Sequence, residues 1–177
     1  MKSKKLRTYK YKGKNFMSKI FTAAILMMVM QFGATAQVLP NIKLSTMDGA
    51  GFQTQQLNEI TGKPVVLSFW ATWCIPCLNE LTAINDNLDY WNKESKFEFY
   101  AISEDDSRTA RRVPAVVNGK GWNFNVLLDK NQDLKRELNL MNIPYTMVIK
   151  DGKIIYRQAG YVAGNENDLY KIIKANQ

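Results

Sequence analysis

The chain has 177 residues, with 24 Lys and Arg against 16 Asp and Glu, two cysteines and no histidine. The missing histidine excludes Ser-His-Asp and Cys-His nucleophile systems, H-E-x-x-H metal sites and His-ligated haem, and two thiols fall short of the four ligands of a structural zinc site. The charge excess is local: "MKSKKLRTYKYKGKNFMSK" holds eight basic residues and no acid, which leaves sixteen of each sign in the rest of the chain and no basic patch for nucleic acid.

That basic stretch leads into an apolar run from Ile20 to Phe32, broken by Thr22 and Gln31, and then into "GATAQ", with small residues at Ala34 and Ala36. Basic, apolar and small-residue segments in this order form a secretory signal, residues 1–36, cleaved after Ala36. Met17 is an alternative start. The run is short of the roughly 20 apolar residues of a spanning helix, so a membrane anchor facing the periplasm is the alternative to cleavage. Residues 37–177 have the size of one domain with a sound core.

"NIKLS" reads as a short strand, "TMDGAGF" as a tight turn on Asp-Gly, and "QTQQLNEITGK" as a polar connector. "PVVLSFWAT" has the near-continuous β-branched and aromatic character of a strand buried on both faces. From Cys74 the period changes, and Cys77, Leu81, Ile84, Leu88 and Trp91 mark one face of an amphipathic helix. "KFEFYAIS" follows as a strand, then "DDSRTARRVPAVVNGKG" as a helix capped by Ser107 and closed by Gly119 to Gly121, with Pro114 kinking or shortening it. "WNFNVLLD" is a strand, "NQDLKRELNL" a short helix and "NIPYTMVI" a strand after Pro144. Asp151-Gly152 predicts a two-residue hairpin into "KIIYRQAG", and Asn165 to Ala175 a closing helix. The sum is an α/β domain with parallel crossovers first and a hairpin late.

Both cysteines of the chain lie in "FWATWCIPC". A stabilising disulfide is the ordinary role for two cysteines in an exported protein, but the loop they would close is short. The chain-entropy model gives about 2 kcal/mol for it, against about 3 kcal/mol for a 15-residue loop. Their place at a helix N-terminus favours chemistry instead: unpaired N–H groups and the dipole stabilise a thiolate at Cys74. Cys77, one turn on, can then resolve a mixed disulfide. Pro76 fits the first turn, where its missing N–H is not needed.

"FWATWCIPC" resembles the active-site segment of TlpA/ResA-type thiol-disulfide oxidoreductases of the thioredoxin superfamily. The likeness extends through "DGAGF", "GKPVVLSFW", Glu80, "GWNFNVLLD" and "NIPYTMVIKDGKI". It implies a thioredoxin-like fold, a mixed central sheet flanked by helices, with an N-terminal β-hairpin and a central βα insertion. It also implies Cys74 as nucleophile, Cys77 as resolving thiol, a cis Ile143–Pro144 bond beside them whose backbone binds an extended substrate, and Trp73 and Pro76 on the contact surface. Trp73 also has a plainer role open to it, packing beside the strand. Glu80, at the edge of the buried helix face, would handle the proton of Cys77, if partial burial raises its affinity; an acid early in a helix is otherwise explained by the dipole. Cytosolic thioredoxins carry an Asp where this chain has Ser68. Thr82 and Tyr145 also depart from the family's common Pro and Thr.

No cofactor is expected; the family resemblance carries further expectations. It implies disulfides of exported proteins as substrates, apocytochrome c among them, and a membrane thiol carrier as electron donor; the signal points to the periplasm, and a monomer is expected. Ile75 brings no charge or donor between the cysteines, which favours a reductase over an oxidase or isomerase with the same site. A peroxidase would need Thr and Arg beside its cysteine, and no Arg lies near Cys74 in sequence. A non-enzymatic redox sensor is the remaining alternative.

Overall fold

The computed structural model describes residues 37–177. Residues 1–36, with the signal expected there, lie outside them. Seven strands form one sheet in the order β2-β1-β5-β4-β3-β6-β7. β1 (Lys43–Thr46) and β2 (Gly51–Gln53) make the N-terminal hairpin, and β1 pairs antiparallel with β5 (Asn125–Leu128). β5, β4 (Glu98–Ser103) and β3 (Val65–Trp70) run parallel. β6 (Tyr145–Lys150) is antiparallel to β3, and β7 (Lys153–Ala159) to β6. This is the thioredoxin-like α/β architecture.

β3 is buried at all six positions, so its alternation serves two cores. Val65, Leu67 and Phe69 pack on one face with Leu57, Leu134 and Met147. Val66 and Trp70 pack on the other with Cys77, Leu81, Ile84, Trp91 and Val148. Ser68 lies between Val66 and Trp70 on that second face, a polar residue at an interior position.

The long helix α2 (Ile75–Glu94) runs unbroken past Thr82 and buries the expected face of Cys77, Leu81, Ile84, Leu88 and Trp91. Glu80 is buried with them. α5 (Asn165–Ala175) covers the same side of the sheet through Leu169 and Ile173. Asp151 and Gly152 both have positive φ, 48° and 74°; that is the backbone a two-residue hairpin demands and the reason for the Asp-Gly pair.

Three expectations change. The polar connector contains a one-turn helix, α1 (Gln55–Asn58), whose Leu57 is fully buried. Thr54 is buried with it, its hydroxyl donating to Pro40 O at 2.5 Å and accepting Ile42 N–H at 2.7 Å. The expected helix from Ser107 begins as a 3-10 turn at Ala110–Arg112 and becomes α-helix, α3, only at Val113–Lys120. Pro114 stands in its first turn, because a proline ring blocks the carbonyl four residues back and tolerates only a helix start. Asp106, not Ser107, takes the free amides there, from Arg108 at 3.0 Å and Thr109 at 3.2 Å. The strand in "WNFNVLLD" starts at Asn125, since Trp122 and Phe124 leave the sheet to join an aromatic cluster, Trp122 lying 5.3 Å from Trp70 edge-on. The short helix α4 spans Asp133–Glu137.

Candidate active site

The cysteine turn connects the end of β3 to the start of α2. Cys74 N–H donates to Ala71 O at 3.0 Å, and Cys74 itself is the N-cap residue, with extended backbone. Its Sγ accepts the N–H of Cys77 at 3.3 Å, one of the donors that a helix start leaves without a backbone partner. Pro76 occupies the first turn and is exposed. The two cysteines form a disulfide, with Cα atoms 5.3 Å apart. Cys77 is wholly buried, whereas Cys74 keeps 6% of its surface.

On the β4 side, Asp105 staples the turn. Its carboxylate accepts Thr72 N–H at 2.8 Å, the Thr72 hydroxyl at 2.6 Å and the Ser103 hydroxyl at 2.9 Å. Glu104, also buried, donates its N–H to Trp70 O and receives Lys135 Nζ at 2.7 Å. Burial pushes the Glu104 carboxyl up while the Lys135 ammonium opposes the rise. Asp105 is not among the site residues expected from the sequence. The signal was the acid run "EDD" directly after a strand, where side chains reach the loops at the carboxyl end of a parallel sheet.

On the β6 side lie Glu80 and the proline loop. Glu80 is 3% exposed. Its Oε1 accepts the Thr146 hydroxyl at 2.9 Å, and its Oε2 accepts the Ser68 hydroxyl at 3.2 Å. Ser68 and Thr146 are register partners on β3 and β6, so two neighbouring strands present hydroxyls to one carboxyl. Burial raises Glu80 to about 7, against the two hydroxyls, which lower it; the charge of Glu166 adds to the rise. Among the described residues no ammonium or guanidinium donates to it. The expectation of an acid at the edge of the helix face thus understates its burial, and Thr146 was not foreseen at all.

The Ile143–Pro144 bond is cis. Phe69 pairs with Tyr145, so the residues that follow Phe69 and precede Tyr145 meet at one end of the sheet, where the cysteine turn begins. Pro144 is buried and Ile143 half-buried, and Pro144 O accepts Gly160 N–H at 2.8 Å. Four exposed apolar side chains lie on the segments at this end: Trp73, Ile75, Met141 and Val162. Trp73, 58% exposed, does not pack into the core. It borders a groove of about 370 Å³ shared with Glu104, Asp106, Arg108, Thr109 and Gln132.

Comparison with known proteins shows the family and the fold. A model of the AhpC/TSA family matches residues 35–158. The chain belongs to the AhpC/TSA family. The thiol-disulfide oxidoreductase ResA of Bacillus thuringiensis is 33% identical over 132 residues, 74% of this chain and 71% of that protein. A thioredoxin-like protein from Porphyromonas gingivalis superposes with a TM-score of 0.69 at 39% identity, covering 81% of this chain and 93% of that one. StoA of Bacillus subtilis, at 20% identity, shares the fold with a TM-score of 0.60 over 78% of this chain and 98% of its own. Among the described residues no helix is long and apolar enough to cross a membrane.

Proposed function

We propose that this thiol-disulfide oxidoreductase works in the reducing direction, on disulfides of exported proteins, with residues 1–36 as its secretory signal and residues 37–177 as the exported domain. The observation that carries the mechanism is the asymmetry of the pair: Cys74 Sγ lies at the helix start, bonded by an N–H and partly open, while Cys77 is closed off. In the reduced protein Cys74, favoured as a thiolate by the helix N-terminus, attacks one sulfur of the substrate disulfide. A mixed disulfide forms and one substrate thiolate leaves. Cys77 gives its proton to Glu80 and attacks Cys74 Sγ; the Cys74–Cys77 bond forms and the second substrate thiolate is released. Two electrons pass to the substrate, and a membrane dithiol carrier restores the pair. The cis-Pro loop at Ile143 and Pro144 holds the extended substrate, with Trp73 and Pro76 on the contact surface.

The direction rests on Ile75, exposed between the cysteines and without charge or donor to favour the thiolate further. The domain acts as a monomer on protein substrates of the exported compartment, apocytochrome c being one class. The test is the reduction potential of the pair in protein starting at Gln37, equilibrated in thiol-disulfide buffers, alkylated and counted by mass. A value near or below about −250 mV is expected, and one above about −180 mV would make the protein an oxidase or isomerase.

A further inference from the structure

We propose that Ser68 and Thr146 are positioning residues for the exchange reaction: a pair of hydroxyls, one from each of two neighbouring strands, that orients Glu80 and keeps it able both to take and to release a proton. The inference rests on the reading of Glu80 as proton acceptor for Cys77. Ser68 and Thr146 are paired across the β3–β6 ladder, both are buried, and each meets a different oxygen of the same buried carboxyl. Neither position is explained by packing, because their strand neighbours on that face, Val66, Trp70 and Val148, are apolar members of the core. A buried polar side chain there is costly unless its partner is needed.

Hydroxyls suit this task for a chemical reason. A backbone amide or an ammonium can only donate, so either fixes a carboxyl as the anion. A hydroxyl donates to a carboxylate and, by rotating about its C–O bond, accepts from a carboxylic acid. When the thiol proton of Cys77 moves to a Glu80 oxygen, the hydroxyl on that oxygen turns from donor to acceptor, and no heavy atom has to move. The thiolate left on Cys77 carries the electron pair that forms the Cys74–Cys77 bond. While Glu80 is ionised the two donated bonds oppose the desolvation that favours its acid form. Among the described residues, the other titratable groups whose fields couple to Glu80 are Glu166 of α5, Tyr156 of β7 and Tyr161 of the loop between them. None of them is a cation.

The experiment follows the decay of the mixed disulfide between Cys74 and a small peptide disulfide, acid-quenched and read by mass from pH 5 to 9, in the full exported domain. Wild type, Glu80→Gln, Thr146→Val, Thr146→Ser and Ser68→Ala are compared, with thermal midpoints checking the fold. Removing a donor raises the proton affinity of Glu80, so the rising limb of the rate profile should move to higher pH. A hydrogen bond to a charged group corresponds to a shift of about one to two pH units for Thr146→Val, with a smaller shift for Ser68→Ala, whose bond is longer. Thr146→Ser, which keeps the hydroxyl, should restore the wild-type limb. A profile altered by Glu80→Gln but unmoved by Thr146→Val overturns the positioning role alone. Equal shifts in Thr146→Val and Thr146→Ser overturn it too, because packing would then be the cause. A Glu80→Gln profile identical to wild type sinks the proton-acceptor reading, and the positioning role with it.

Discussion

The cysteine turn is flanked by buried carboxyls on two sides, and their hydrogen-bond donors differ. Toward β4, Asp105 takes a backbone N–H and two hydroxyls, and Glu104 takes the ammonium of Lys135. Toward β6, the donors to Glu80 among the described residues are two hydroxyls, and burial raises its proton affinity to about 7. The first arrangement ties backbone in place, and the second leaves a group whose charge can change within the working pH range. The proposed exchange would use both: a turn that does not shift and an acid that does respond.

The comparison breaks most visibly at Asp105. Asp105→Ala would leave Thr72 N–H, the Thr72 hydroxyl and the Ser103 hydroxyl without their acceptor. An unsatisfied buried donor costs about 1–3 kcal/mol, so the oxidised protein should lose about 3 kcal/mol or more in urea unfolding. Asp105→Asn, which retains one acceptor oxygen, should lose less. Equal stability of Asp105→Ala and wild type would show that the turn holds its shape without the staple.

Glu80 should behave in the reverse sense, and its signature is pH-dependent. Its affinity in the folded protein is raised from 4.5 to about 7, so between these values the native state binds more protons than the unfolded state. Stability from this group is therefore complete below about pH 4.5 and falls as pH rises toward 7. The cost on the alkaline side is about 3 kcal/mol by linkage. Glu80→Gln should then unfold at higher urea than wild type at pH 8 and at nearly the same urea at pH 4.5. A wild-type protein whose stability is flat from pH 4.5 to 7.5 would place Glu80 among ordinary exposed acids.

These two flanks were unequally legible in the sequence. The cysteine pair, the helix face behind it and the strand before it follow from spacing and periodicity, because the chemistry is local: Cys74 and Cys77 are one turn apart, and Leu81, Ile84, Leu88 and Trp91 repeat at helical steps. The hairpin at Asp151-Gly152 is local in the same way. Asp105 reaches Thr72 across 33 positions and Thr146 reaches Glu80 across 66. Contacts of that separation are made by strand register, which periodicity does not reveal. Ser68 was visible as a polar residue in an apolar strand, yet its partner was not. The helix expected to be capped by Ser107 becomes α-helical only at Val113, because Pro114 is tolerated in a first turn and not further in. The cis bond and the roles around it came from the family resemblance, not from the residues alone.

The smallest effect on stability, and a sharp one on recognition, belongs to Trp73. It lies outside both flanks' hydrogen-bond sets, is 58% exposed and borders the groove with Asp106, Arg108 and Gln132. Surface substitutions away from special features usually change stability by no more than about 0.5 kcal/mol, so Trp73→Ala should unfold with wild type. An exposed aromatic beside a redox pair contributes contact area to a docked polypeptide. Trp73→Ala should raise KM for a disulfide-bonded protein substrate about ten-fold, the equivalent of about 1.4 kcal/mol, and leave reduction of a small-molecule disulfide almost unchanged. The small molecule has no surface to lay on the indole, so the two substrates separate contact from chemistry. Equal losses on both would mean that Trp73 shapes the cysteine turn itself, and recognition would then fall to Ile75, Met141 and Val162, the other exposed apolar side chains at this end of the sheet.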